Sequence, residues 1–152
     1  MTLSKGQFGN LYGQMMAAPG VESGFTVHAV TGEQPSSGIM VSLPNTETYT
    51  APASATKPSS LPRYVRQHRE SLSKPDVYLG GWKPKTDEYT TIDRSQRFAA
   101  NPAIAQEYGQ GVAEHDALER GLTMGYSRHQ DAVFNLKTKR TTPTGYERGE
   151  SQ

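Results

Sequence analysis

Apolar residues occur along this chain in short runs, which are separated by segments rich in glycine, proline, serine and threonine. Only 34% of the 152 residues are hydrophobic, and 15 glycines and 10 prolines interrupt regular elements. The core must be small, because too few apolar side chains are present to fill a large one. We therefore expect a small domain that gains stability from a partner or from further copies of itself.

Two of the runs alternate between apolar and polar residues with period two. They lie on either side of the turn-rich sequence TGEQPSSG, and together they predict a β-hairpin over residues 25–43. A second hairpin is predicted within residues 76–98, and a last strand over residues 131–136. The apolar positions of the first hairpin and the last strand are Phe25, Val27, Ala29, Ile39, Val41, Leu43, Ala132, Phe134 and Leu136.

A first helix is predicted after the cap residue Ser59 or Ser60, with Pro62 in its first turn and Pro75 beyond its end. Its apolar face consists of Leu61, Tyr64, Val65, His68 and Leu72, and its opposite face carries Arg63, Arg66 and Arg69. We interpret these arginines as a solvated helix face. The alternative is a nucleic-acid binder in which the three arginines contact phosphates and Trp82 stacks on bases. The net charge of +1 provides no general field for polyanions, so we expect no nucleic-acid partner.

A second helix is predicted from Asn101, a cap residue, and Pro102, which favours the first helical position. Gly109 and Gly111 weaken the pattern, and Gly121 is expected to end it. The apolar face of this helix is predicted to be Ile104, Tyr108, Val112, His115, Leu118 and Leu122.

Three further segments lack a pattern that would bury them. Residues 1–24 are glycine-rich and predict an extended N-terminal arm that becomes helical against another surface. Residues 44–60 are rich in proline and threonine and predict a linker, and residues 137–152 predict a polar tail. The side chains expected to contact a partner from the arm and the linker are Phe8, Leu11, Tyr12, Met15, Met16 and Tyr49.

The order of these elements indicates an α+β fold. We expect a small, mostly antiparallel sheet with two helices on one face. Its core is predicted to comprise residues 61–136 together with the hairpin over residues 25–43.

Composition excludes several classes of protein. The chain has no cysteine, which excludes disulfides, cysteine-ligated zinc and thiol nucleophiles. Its N-terminus has no apolar run typical of a signal peptide, and no stretch approaches the length of a membrane span. We therefore expect an intracellular site of synthesis and no membrane partner.

No group of residues has the spacing that a particular chemistry requires. His115 and Glu119 lie four apart, but a metal needs three or four ligands. The sequence SRHQD, from Ser127 to Asp131, contains the residue types of a catalytic triad, yet neighbours in sequence rarely have its geometry. We therefore predict no catalytic, metal-binding or cofactor-binding residue.

Two arginines remain candidates for an interaction site. Arg94 and Arg97 follow the predicted end of the strand Glu88–Asp93, and binding residues are often found at strand ends. An alternative hypothesis is a small enzyme whose site combines both arginines with Arg128 and His129. This alternative requires one cleft that gathers the four side chains.

Several segments together resemble a small domain found in proteins of actinobacterial phages and related mobile elements, where it occurs alone or within larger virion-associated polypeptides. These segments are GFTVHAVTGEQPSSGIMVSLP, RYVRQHRESL, DVYLGGW, YTTIDRSQRF and HQDAVFNLKT. The glycine-interrupted and lengthened second helix departs from that pattern. The resemblance implies a phage origin and an accessory or virion role, and it implies nothing about chemistry. With this origin, the alternative hypothesis of a site near Arg94, Arg97, Arg128 and His129 describes a small phage-encoded enzyme or an anti-host effector.

The expected function is accordingly that of a non-enzymatic structural or accessory protein. Such a protein docks through its arms on a larger assembly, either a virion or further copies of itself. We expect it to be made in the host cytoplasm and to be carried in the virion.

Overall fold

Helices and antiparallel strands are both present, which confirms the predicted α+β class. The structure is a computed structural model, and it describes residues 3–44 and 48–147. The helices are α1 (Lys5–Met15), α2 (Ser60–Gln67), α3 (Arg69–Leu72), α4 (Pro102–Tyr108) and α5 (Gln110–Ser127). The strands are β1 (Ser23–Val27), β2 (Ile39–Ser42), β3 (Tyr49–Pro52), β4 (Val77–Lys83), β5 (Tyr89–Phe98), β6 (Ala132–Asn135) and β7 (Arg140–Pro143).

The chain divides into two compact units. The first contains the chain up to Gln34 and the segment from β3 to Ser95. The second contains Pro35–Pro44 and the chain from Gln96 onward. Strand β5 therefore contributes residues to both units, and residues 61–136, which are predicted to form one core, are shared between them.

In the first unit, β4 lies between β1 and β5, which confirms the second hairpin, and β3 also pairs with β5. The antiparallel register of β1 and β4 places Phe25 opposite Gly81. A Cβ atom at position 81 would overlap the ring of Phe25 and lie 2.9 Å from the sulfur of Met15. Glycine is therefore required here by close packing.

The predicted hairpin over residues 25–43 is wrong, although both of its strands exist. β1 pairs with β4, whereas β2 pairs with β6 in the second unit. The segment that follows β1 turns at Gly32 and Gly38, whose φ angles are 79° and 114°. Alternation shows which residues suit a strand, but it does not select the neighbouring strand.

The N-terminal segment is helical, as predicted, but the helix α1 packs on its own unit and is not an extended arm. Ser4 and Gln7 form a capping box: the Gln7 amide donates to Ser4 Oγ at 3.1 Å, and the Ser4 amide donates to Gln7 Oε1 at 2.7 Å. Leu11 and Met15 are buried against β1 and β4 of the same unit. This burial and the cap offset the cost of the two glycines inside the helix.

The predicted linker is ordered from Tyr49 onward, whereas residues 45–47 lie outside the described residues. β3 pairs antiparallel with β5, with Tyr49 opposite Ile92, and a short 3-10 turn (Ala53–Ala55) follows it. The hydroxyl groups of Thr56 and Thr90 then share a buried hydrogen bond of 2.6 Å. Composition alone suggested disorder, because threonine is polar, but here threonines find buried partners.

The first predicted helix is divided at His68 into α2 and α3. Ser59 occupies the cap position, but its side chain makes no capping hydrogen bond. The predicted apolar face is confirmed at Leu61, Tyr64, Val65 and Leu72, which are buried, and Arg63, Arg66 and Arg69 are not buried. That the helices lie on one face of the sheet stays a prediction.

In the second unit, the strand order is β5, β2, β6 and β7, and α5 contacts β2 and β6. The predicted second helix begins as expected: the Asn101 side chain accepts hydrogen bonds from the Ala103 and Ile104 amides. It then breaks at Gly109, whose φ is 102°, and α5 continues through Gly121 to Ser127.

The predicted apolar face of this helix is wrong at Tyr108 and Val112, but it is confirmed at Leu118 and Leu122, which are partly buried and pack against the core of the second unit. The residues buried along α5 are small, and Tyr108 and Val112 are 64% and 51% exposed. A Cβ atom at Gly121 would lie only 2.5 Å from Cγ2 of Ile39 in β2, so the helix approaches the strand too closely for large side chains. The buried positions are Ala113, Ala117, Gly121 and Gly125.

The last predicted strand is confirmed as β6, but its buried residue is Val133, and Ala132 is exposed. The predicted polar tail is wrong over residues 140–143, because β7 pairs with β6 there. Asn135 accepts hydrogen bonds from the amides of Lys137 and Thr138, which forms the turn between the two strands. Residues 148–152 of the predicted tail lie outside the described residues.

Candidate functional site

An open groove of about 250 Å³ lies in the first unit between α1 and the α2–α3 pair. We call it the α1–α2 groove. Its apolar lining comes from the N-terminal segment, from the turn after β1 and from the predicted apolar face of the first helix. The principal apolar lining residues are Leu3, Phe8, Val30, Pro62, Val65 and Leu72.

The wall after β1 is fixed by the buried side chain of His28. Its Nδ1 accepts hydrogen bonds from the amides of Val30 and Thr31, at 3.2 and 3.3 Å. Since Nδ1 accepts, Nε2 carries the proton and donates to the carbonyl of Lys74 at 2.9 Å. One imidazole therefore joins the turn after β1 to the end of α3, so this side of the groove is pre-formed.

Two guanidinium groups border the apolar lining. Arg66 and Arg69 both line the α1–α2 groove, and both reach solvent. Within the described part of the chain, neither has a carboxylate within ion-pair distance. An apolar floor beside two such cations is suited to an apolar side chain that has a carboxylate next to it.

A second, smaller groove of about 200 Å³ lies on the other side of α2. Tyr49 of β3 and Arg63 and Tyr64 of α2 are among its lining residues. The rings of Tyr64 and His68 lie 4.3 Å apart between their centroids. Helix α2 thus borders both grooves, with one arginine on this side and two arginine side chains on the other.

Of the predicted interaction residues of the N-terminal segment and the linker, some line grooves and others are buried within the unit. Phe8 and Tyr49 line the two grooves. Leu11 and Met15 are 2% and 0% exposed, so their predicted contact with a partner is wrong. The Tyr12 hydroxyl donates to the carbonyl of Thr56 within the same unit, and Met16 is half-buried at the end of α1.

Arg94 and Arg97 lie within β5, because this strand continues to Phe98 and does not end at Asp93. In the first unit, Arg94 donates to Ser71 Oγ at 2.6 Å, and its buried Nε has no partner among the described residues. In the second unit, Arg97 donates to the carbonyl of Ser37 at 2.8 Å. Both guanidinium groups therefore make structural contacts.

The remaining residues of the alternative site are in the second unit. Arg128 donates to the carbonyl of Ser42 at 3.0 Å and to Gln96 Oε1 at 2.6 Å. The His129 ring stacks on Tyr146, with centroids 4.8 Å apart. Arg128 and His129 thus have different partners in these contacts. The hydroxyl of Ser127, the residue of SRHQD that could act as a nucleophile, donates a hydrogen bond to the Met124 carbonyl.

The side chains of His115 and Glu119 face solvent. Their Nε2 and Oε2 atoms are 3.6 Å apart, and both side chains are 68% exposed. Among the described residues, no group of three or more His, Cys, Asp or Glu side chains is placed to hold a metal ion.

Carboxyl groups of both units have shifted pKa values. Burial raises the pKa of Asp93 to about 6, and the neighbouring Arg94 opposes this shift. The hydrogen bonds donated by Lys83 and the Gly20 amide lower the pKa of Asp87. In the second unit, hydrogen bonds from Lys137 and Gln110 lower the pKa of Glu114.

Two features escaped sequence reasoning. Lys83 is a buried cation within a strand, and no local pattern distinguishes it from the exposed lysines nearby. The exposed Tyr108 and Val112 looked like core residues because their spacing of four fits a helical face. The small residues at intervals of four along α5, Ala113, Ala117, Gly121 and Gly125, could have indicated which residues pack closest to the sheet.

Comparisons with models of protein families, with curated proteins and with solved structures found no match for this chain. Within the described residues, no helix has the length and apolar character needed to cross a membrane.

Proposed function

We propose that the protein is a non-enzymatic structural or accessory protein of a phage, and that it docks on the virion or on another large assembly. The α1–α2 groove carries this proposal, because it combines an open apolar lining with two arginines that lack a carboxylate partner in the described part of the chain. The resemblance of the sequence segments to phage domains supports the phage origin.

The chemistry of the groove favours a protein segment that is both apolar and acidic. An apolar side chain would fill the lining between Phe8 and Val65, while its carboxylate neighbour would accept hydrogen bonds from Arg66 or Arg69. A stable interface buries about 1,600 Å² in total, which is more than a groove of this size supplies. Binding at this site is therefore weak alone and becomes strong where many copies bind together.

The proposal is tested by quantitative mass spectrometry of purified phage particles. We expect a fixed ratio of this chain to the major capsid protein across independent preparations. Phage that carry Arg66→Glu and Arg69→Glu should lose the chain from their particles. The matched control reverses two exposed lysines of the same unit outside the grooves, Lys57→Glu and Lys85→Glu, and should retain it. Absence of the wild-type chain from particles would refute the proposal.

A further inference from the structure

A second exposed surface has the chemistry that suits the α1–α2 groove. Tyr108 at the end of α4 and Val112 in the first turn of α5 are 64% and 51% exposed. Glu107 precedes Tyr108, is exposed, and has no ion-pair partner in the described part of the chain. We call these three residues the α4–α5 edge.

The charges of the two surfaces are opposite. Arg66 and Arg69 border the groove, whereas Glu107 lies in the edge. Two other acids near the edge, Glu114 and Asp116, are already ion-paired with Lys137 and Arg120, so Glu107 is the acid that matches the groove. Opposite patches steer surfaces together and fix their register. The chain as a whole has 16 basic and 15 acidic residues, so copies of it do not repel one another strongly.

We propose that the α4–α5 edge of one copy binds in the α1–α2 groove of the next copy, so that the protein associates with itself head to tail. This proposal rests on the docking role of the groove and identifies its occupant. Tyr108 or Val112 occupies the apolar lining, and Glu107 accepts hydrogen bonds from Arg66 or Arg69. Because the two surfaces are different, the contact is heterologous and extends to rings or filaments rather than stopping at a symmetric dimer.

The first measurement is sedimentation velocity of the purified full chain over a range of concentrations at low salt. We expect the mass to rise above the 16.6 kDa of one chain as the concentration increases, and to return toward it in high salt. Arg66→Glu with Arg69→Glu disables the groove, and Tyr108→Ser with Val112→Ser disables the edge. Each pair should weaken association at least tenfold, while Lys57→Glu with Lys85→Glu should leave it unchanged.

The decisive measurement mixes the two disabled variants. Each retains one working surface, so the mixture should form a species of two chains that goes no further. All substituted side chains reach solvent, and unchanged circular dichroism and melting temperature verify that both variants fold. Monomers at every concentration of the wild-type chain, or no pairing in the mixture, would overturn the inference. Binding of a short single-stranded oligonucleotide by the wild-type groove without self-association would also overturn it.

This result is separable from the test on phage particles. A chain that stays monomeric but occurs at fixed copy number in particles would refute head-to-tail association and leave the virion role in place. A chain that associates in solution but is absent from particles would refute the virion role alone.

Discussion

The ammonium group of Lys83 donates a hydrogen bond to the carboxylate of Asp87, four residues later in the turn between β4 and β5. The same group donates to the carbonyls of Ala18 and Val21, at 3.1 and 2.8 Å. Lys83 is 2% exposed, and a buried cation is stable only when acceptors surround it. One side chain thus fastens the segment after α1 to the second hairpin.

Replacing Lys83 by methionine should destabilise the protein although methionine fits an apolar site. The substitution leaves two carbonyls and a carboxylate without this donor, and we expect the free energy of unfolding to fall by about 1–3 kcal/mol. Urea denaturation measures this change. Lys85→Met in the same turn is the control, because Lys85 is exposed, and it should have almost no effect. Equal effects of the two substitutions would contradict the role of Lys83.

Stability should depend on pH with opposite signs at two aspartates. The pKa of Asp93 is raised from 3.8 to about 6 in the folded state, so the folded protein holds this proton more tightly than the unfolded chain. The stabilisation of the folded state by protonated Asp93 is fully present below the pKa of the unfolded chain, and it is lost as the pH rises through about 6. The shift corresponds to about 3 kcal/mol. The pKa of Asp87 is lowered, so its contribution is present above pH 3.8 and is lost as the pH falls.

Urea denaturation between pH 3 and pH 7 separates the two groups. Asp93→Asn should be more stable than the wild type at pH 7 and should lose this advantage toward pH 3. Asp87→Asn should be less stable at pH 7, and the deficit should shrink in acid. Parallel pH profiles for Asp93→Asn and the wild type would show that the carboxyl group of Asp93 is not perturbed.

Local patterns predicted most elements but not their partners. The alternation around Phe25 and Ile39 located two strands, yet their pairing with β4 and β6 depends on residues distant in sequence. Composition predicted a linker over residues 49–56, but these residues are folded. Thr56 is buried because its hydroxyl group bonds to the hydroxyl group of Thr90 in β5, and composition does not reveal such a partner. The α1–α2 groove could not be predicted from local sequence patterns, because its walls come from three separate segments. The sequence did predict Phe8 as an interaction residue.

Two glycines of α5 should respond oppositely to alanine. Gly121 faces β2, and a Cβ atom there would lie 2.5 Å from Ile39 Cγ2. We expect Gly121→Ala to cost about 1–3 kcal/mol through overpacking. A methyl group at Gly111 would meet no atom within 4 Å beyond its own helix, so Gly111→Ala should stabilise the protein by about 0.5–1 kcal/mol. Thermal unfolding of both variants checks these signs, and stabilisation by Gly121→Ala would contradict the close contact.

The buried hydroxyl pair of Thr56 and Thr90 should show coupling. Thr90→Val leaves the Thr56 hydroxyl without this partner, and we expect a loss of about 1–2 kcal/mol. The double variant with Thr56→Val should lose less than the sum of the single losses, because no orphaned hydroxyl remains in the pair. Thr50→Val, at an exposed position of β3, is the control. Additive losses in the cycle would indicate that residues 49–56 are not held to β5 through this pair.

Helix α1 should be protected in the isolated protein, in contrast to a free arm. Met15 is fully buried, and Met15→Ala should cost about 2–5 kcal/mol, whereas Gln14→Ala at an exposed neighbouring position should cost little. Native-state hydrogen exchange gives a second measurement. The amides near the end of α1 should exchange at rates comparable with those of β4, because both belong to one packed unit. Rapid exchange throughout α1, with an unchanged β4, would restore the interpretation of this segment as an arm that orders only against a partner.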